Sequence, residues 1–213
     1  MEADFWHKKW QLNEIGFHKT HANPLLVKYI DQLALDEGDR IFLPLCGKTL
    51  DIDWLLQQDF QVVGAELSEL AIQQLFEQLE LKPQIAEIGS LKRYSAKNID
   101  VFVGDIFEIH RKLIGHIDAI FDRAALVALP SEMRIQYTKH LIDITNNAPQ
   151  ILITFEYDPT GVSGPPHAIA QEEIASHYGD FYQIKTLEQF DLPGGIKGKP
   201  EAIEHVWLLS KPE

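Results

Sequence analysis

The stretch Arg40-Ile41-Phe42-Leu43-Pro44-Leu45-Cys46-Gly47-Lys48-Thr49-Leu50-Asp51 limits what this chain can fold into more than any other. A short apolar run, Ile41 to Leu45, is broken by Pro44 and Gly47, and a helical pattern opens at Thr49, so the segment reads as strand, turn, helix. Glu66 stands 21 residues after Leu45, closing a second apolar run, Val62-Val63-Gly64-Ala65. A carboxylate at that offset is what a ribose diol needs as its acceptor. The pair predicts the first half of a nucleoside-binding α/β sheet.

The rest of the chain extends this pattern. Phe5, Trp6, Trp10 and Phe17 form an aromatic N-terminal segment, with Trp6 and Trp10 one helical turn apart, that either packs into the core or covers a site. Asn23-Pro24 starts a helix, and Glu37-Gly38-Asp39 ends it before the first strand. Strands are expected at about 41–45, 61–65, 99–103, 117–121, 150–157, 182–190 and 202–209, seven in all. Helices are expected from Thr49, from the N-cap Ser68, from Pro130-Ser131 and over 171–178. Residues 84 to 99 are mixed and polar and read as a connection, with a short strand or hairpin as the alternative. Alternating strands and helices give an α/β fold, doubly wound, with a mainly parallel seven-stranded sheet.

In such a sheet a ligand lies beyond the carboxyl ends of the strands. Leu45, Glu66, Asp105, Arg123 and the loop 158–167 all fall there, and this loop, the longest irregular stretch, reads as a lid. At 213 residues and 45 % apolar content, one domain spanning 1–213 is expected, with 1–38 as an arm and helix over the site. The formal charge of −13 argues against a nucleic-acid or anionic-membrane partner, which would require a basic face. Short apolar runs and the opening Met-Glu-Ala-Asp-Phe predict neither a membrane span nor a signal segment, so the cytoplasm is the expected address; a monomer is expected as well. The lone Cys46 forbids an internal disulfide and, with no base evident, reads as a small buried hydrophobe. His18 and His21 lack a carboxylate-rich third ligand, and no metal is expected.

Three ligand classes compete for the rim. Gly47-Lys48-Thr49 matches the end of a phosphate-binding loop, but Phe42 stands where that loop needs its first glycine. The turn Pro44-Leu45-Cys46-Gly47 also lacks the Gly-x-Gly-x-x-Gly that admits a dinucleotide pyrophosphate. S-adenosylmethionine offers a ribose and a cationic sulfonium with no phosphate to cradle.

Several motifs now converge. Pro44-Leu45-Cys46-Gly47-Lys48, Val63-Gly64-x-Glu66-x-Ser68-Glu69-Leu70, Asp122-Arg123-x-Ala125-Leu126-Val127-Ala128, Tyr157-Asp158-Pro159 and Gly164-Pro165-Pro166 occur in this order. Trp6-x-x-x-Trp10 and Gly16-Phe17-His18 precede them. Together they resemble the bacterial branch of the thiopurine S-methyltransferase family, along essentially the whole chain. The resemblance implies a Rossmann-like class I methyltransferase with S-adenosylmethionine as cofactor, S-adenosylhomocysteine as product and a small thiol as substrate. It carries cofactor contacts onto Trp10, Leu45, Glu66 and Arg123, and further ones onto Trp6, Asp105 and Ile106. The family often shows serine where this chain has Asp105, which leaves the neighbouring backbone as the alternative contact. Phe17 falls close to the acceptor, Arg123 is the expected catalytic residue, and His18 or a water is the expected proton acceptor. Other readings remain open: an inorganic acceptor such as a selenium, tellurium, halide or thiocyanate species; a nucleotide-binding oxidoreductase; or a catalytically silent S-adenosylmethionine binder.

Overall fold

The computed structural model describes residues 3–199 and 201–212. They form two compact units, one up to Ile120 and one from Phe121, and the strand Ala119–Arg123 carries the chain from the first into the second.

The first unit opens with α1 (Ala3–Gln11) and α2 (Pro24–Tyr29). Asn23 caps α2, its side-chain oxygen accepting from Leu25 N at 2.9 Å, and Pro24 takes the first helical position, where its missing N–H costs nothing. There follow β1 (Arg40–Leu43), α3 (Asp51–Gln57), β2 (Gln61–Glu66), α4 (Glu69–Gln78), β3 (Gln84–Ile88), β4 (Leu91–Ala96), β5 (Ile99–Val103), α5 (Arg111–Ile114) and β6 (Ala119–Arg123). The strand order is β3-β4-β5-β2-β1-β6. β5, β2, β1 and β6 run parallel, with Phe42 opposite Val63 and Ile120, and Glu66 opposite Val103. Ile41, Phe42, Val62, Val63, Val101 and Phe102 are all buried, as parallel strands covered on both faces require. The buried Asp51 ties two helix starts together: it accepts from Asn23 N (2.6 Å) before α2 and from Thr49 Oγ1 (2.8 Å) before α3.

The second unit holds the end of β6, then α6 (Ser131–Thr145), β7 (Gln150–Tyr157), α7 (Gln171–Tyr178), β8 (Gln183–Asp191) and β9 (Ala202–Ser210), in the order β6-β7-β9-β8. β9 is antiparallel to both of its neighbours, and β8 carries a bulge at Thr186/Glu188. Arg134 on α6 donates from Nε and Nη2 to both oxygens of Glu173 on α7 (2.5 and 3.1 Å) and from Nη1 to Leu129 O (2.8 Å).

The structure corrects the expected elements in four places. The helix from Pro24 ends at Tyr29, with a 3-10 turn to Leu33, rather than reaching Glu37. The sheet order contains nine strands rather than seven, because 84–96 folds as the hairpin β3/β4 around Gly89. β3 is exposed or half-buried throughout, so no face of it needed the apolar alternation that would have announced a strand. The first strand ends at Leu43 rather than Leu45, since Leu45 turns to φ 46°. α3 begins at Asp51 rather than Thr49, whose hydroxyl is engaged with Asp51. Among the described residues, no helix is long and apolar enough to cross a membrane.

Candidate functional site

The turn after β1 is built around the end of β2. Cys46 N donates to Ala65 O (2.9 Å), which draws the turn against β2, and Gly64 makes room: a Cβ there would lie 3.0 Å from Cys46 Sγ. Leu45 and Gly47 both take left-handed backbone angles, φ 46° and 54°. For Leu45 that conformation is costly, and it persists only where the surroundings hold it. What holds it is Glu66, whose Oε2 accepts from Gly47 N (2.7 Å) and Oε1 from Ser68 N (2.8 Å).

Glu66 is 6 % exposed. Burial pushes its carboxyl up, and the amides of Ser68, Gly47 and Leu67 oppose that shift. A carboxylate offers about four acceptor positions, so capacity remains for a pair of hydroxyls. Burial, then the nearby Glu66 carboxylate, push the Cys46 thiol well up, which disqualifies it as a thiolate nucleophile.

The N-terminal helix lies on this turn. Trp10 is 4 % exposed, and a Cβ on Gly47 would sit 2.9 Å from its indole, so the glycine serves both the backbone angle and the contact. Phe17 meets Trp6 and Trp10 edge-on, with centroids 5.7 and 5.6 Å apart. The Trp6 indole N–H is buried and has no hydrogen-bond partner. His18 closes the turn below the cluster, its backbone N–H donating to Ile15 O at 2.8 Å. The arm therefore packs, and it does so against the β1–α3 turn.

Beside Glu66 opens a cleft of about 370 Å³, lined by Leu67 and Ser68 just after β2, by Val103 and Gly104 at the end of β5, and by His7 and Gln11 from α1. An ion pair between Glu69 and Lys92 (2.8 Å) borders it. Asp105 follows Gly104 at the surface and accepts from Phe107 N (3.0 Å), while Ile106 is buried. Trp6, Trp10, Phe17 and Glu66 thus belong to one continuous set of contacts through Gly47, two residues after Leu45, and Asp105 and Ile106 follow Gly104 of the cleft in sequence. His7 and Gln11 escaped the sequence reading, although their spacing of four residues on α1 marks a shared face.

In the second unit Arg123 ends β6. Its neighbour Asp122 is buried and accepts from Tyr137 OH (2.7 Å) and Leu126 N (3.1 Å). The loop 158–167 is tied down along its length. Tyr157 OH donates to Pro166 O (2.7 Å), His167 N to Val127 O (2.7 Å), Lys197 Nζ to Ser163 O (2.6 Å) and Lys199 Nζ to Asp158 (3.0 Å).

A family model described as Thiopurine S-methyltransferase (TPMT) matches residues 1–210. The chain belongs to the thiopurine S-methyltransferase family. Two relatives named thiopurine S-methyltransferase bear this out: one from Xanthobacter autotrophicus is 48 % identical over 99 % of this chain and 100 % of its own length. One from Teredinibacter turnerae is 46 % identical over 99 % and 98 %. Among solved structures, a SAM-dependent methyltransferase from Anabaena variabilis superposes with a TM-score of 0.63 over 96 % of this chain and 93 % of that one. At 17 % identity it speaks for the fold, an α/β sheet with a parallel centre and flanking helices.

Proposed function

We propose that this member of the thiopurine S-methyltransferase family moves a methyl group from S-adenosylmethionine to the sulfur of an aromatic or heterocyclic thiol. The observation that carries the reading is Glu66: a buried carboxylate at the end of β2, fixed by two backbone amides and still able to accept from a ribose diol. The residues around it fit that cofactor. The turn offers no glycine-rich cradle for phosphate, the arm offers aromatic faces suited to a cation, and the cleft beside Glu66 has room for a base.

When bound, S-adenosylmethionine supplies an electrophilic methyl group on a sulfonium, leaving S-adenosylhomocysteine. The chain's own residues bind, orient and exclude water. Glu66 takes the ribose hydroxyls; Trp6, Trp10 and the Leu45 backbone hold the amino-acid end; Asp105 and Ile106 border the purine. Phe17 and His18 face the acceptor. Arg123 stabilises the thiolate, and His18 or a water accepts the proton when the thiol arrives neutral. A thiol of low pKa needs no strong base, so most of the acceleration comes from alignment and desolvation. We further propose that the chain acts as one domain, a cytoplasmic monomer without nucleic-acid or membrane partners, a reading its charge of −13 supports.

The test is transfer of labelled methyl from S-adenosylmethionine to 6-mercaptopurine, with selenite and iodide in parallel. Label on the thiopurine supports the proposal. Label on the inorganic acceptors alone would replace the thiol with a smaller nucleophile, and cofactor binding with no transfer would leave a silent binder.

A further inference from the structure

We propose that Asp122 and Tyr137 are positioning residues for methyl transfer, locking the turn from which Arg123 is presented; this rests on the proposed role of Arg123. Asp122 and Arg123 are successive residues of β6, so their side chains leave opposite faces of the strand. While Asp122 points into the core, its Oδ1 accepts from the backbone N–H of Leu126, closing a ring over Arg123, Ala124 and Ala125. Inside that ring Ala124 holds φ 65°, a left-handed angle that a residue with a Cβ keeps only when the surroundings impose it. Tyr137, fully buried on α6, donates its hydroxyl to the other carboxylate oxygen at 2.7 Å and so fixes Asp122 to the helix behind the strand.

Downstream the chain is equally constrained. Ala125 through Leu129 are buried, Ala128 N donates to Ala125 O (2.9 Å), and Val127 O accepts from His167 N (2.7 Å). The backbone of Arg123 is therefore held on one side by the sheet and on the other by a turn that the Asp122–Tyr137 pair fastens through side chains. A buried carboxylate is expensive to keep, and replacing such polar pairs with apolar groups is often neutral for stability. Its position here, bonded to the turn that follows Arg123, gives it a purpose beyond stability.

Tyr137→Phe removes one hydroxyl and keeps the ring. Four proteins are compared: the parent, Tyr137→Phe, Arg123→Ala and the double variant, each measured for kcat and KM with 6-mercaptopurine, for S-adenosylhomocysteine affinity by calorimetry and for thermal midpoint. Tyr137→Phe is expected to lower kcat about tenfold, as misplacement of a charge-stabilising group does, with cofactor affinity, in which Arg123 also shares, falling by clearly less. In the Arg123→Ala background the same change is expected to cost almost nothing, because its effect runs through the guanidinium. A kcat for Tyr137→Phe equal to the parent, or an equal loss in both backgrounds, overturns the proposal. Parent-level activity in Arg123→Ala overturns instead the role given to Arg123. Should Tyr137→Phe fail to fold, Asp122→Asn replaces it in the same four-protein comparison.

Discussion

At the scale of single residues, Glu66 and Asp122 show one buried carboxyl put to two uses. Glu66 holds its turn through two backbone amides and keeps lone pairs to spare. Glu66→Ala removes both services, so cofactor affinity should fall by about 1–3 kcal/mol, the cost of unpaired hydroxyls, and calorimetry checks it. An unchanged dissociation constant would remove Glu66 from the cofactor site. Asp122 is spent wholly inside the protein. Burial raises its carboxyl from the ordinary 3.8 to about 6, against the lowering influence of Tyr137 and the Leu126 amide. Between those two values the native chain keeps a proton that the unfolded chain has already released, so stability falls as pH rises through the window. The loss across it amounts to roughly 3 kcal/mol. Asp122→Asn should flatten the stability–pH curve between about pH 4 and 6, read from urea denaturation at each pH. Glu66, also raised, should leave a residual slope of the same sign in both proteins.

Between elements, the contacts that matter are few and specific. α1 rests on the β1–α3 turn through Trp10 and Gly47, where a Cβ would meet the indole at 2.9 Å. Gly47→Ala adds that clash to a left-handed φ, and it should cost about 1–3 kcal/mol and weaken cofactor binding as the arm lifts. Fluorescence-monitored unfolding and calorimetry separate the two losses. Arg134 joins α6 to α7 through Glu173; burial raises the Glu173 carboxyl, and the Arg134 guanidinium and His177 together more than offset it, so the group stays ionised below its usual range. Glu173→Ala strands a guanidinium that is 6 % exposed, and the expected loss is roughly 2 kcal/mol. That is less than for a fully enclosed pair, since Leu129 O still accepts from Arg134. A chemical denaturation curve matching the parent would contradict it.

The elements legible in the sequence were those whose burial, on one face or on both, leaves an apolar pattern. β7 and α7 match their expected bounds, 150–157 and 171–178, because one is apolar on both sides and the other is periodic. The β3/β4 hairpin was not, since solvent bathes β3 and polar residues serve there as well as apolar ones. The place of Glu66 at the end of β2 was legible from the apolar run it closes. The Asp122–Tyr137 pair was not, because 15 residues of sequence separate two groups that only the packing of α6 behind β6 brings to 2.7 Å.

For the molecule as a whole, the charge of −13 sets how acceptors arrive. An anionic thiolate approaches a repelling field that salt screens, with a Debye length of about 10 Å at 0.1 M. kcat/KM for a thiolate acceptor should therefore rise with ionic strength, while that for a neutral thiol stays level. A salt series with both acceptors decides it; parallel curves would mean that the local field at the site cancels the global one. The placement of the tryptophans adds a last consequence. Of four indoles, Trp6 and Trp10 sit in the arm, whereas Trp207 is buried, stacked on His205 and bonded to Thr154. A protein carrying Trp54→Phe and Trp207→Phe would emit from the arm alone, and the chain would become its own optical sensor, reporting each ligand that touches the N-terminal helix by a change in colour without any attached dye.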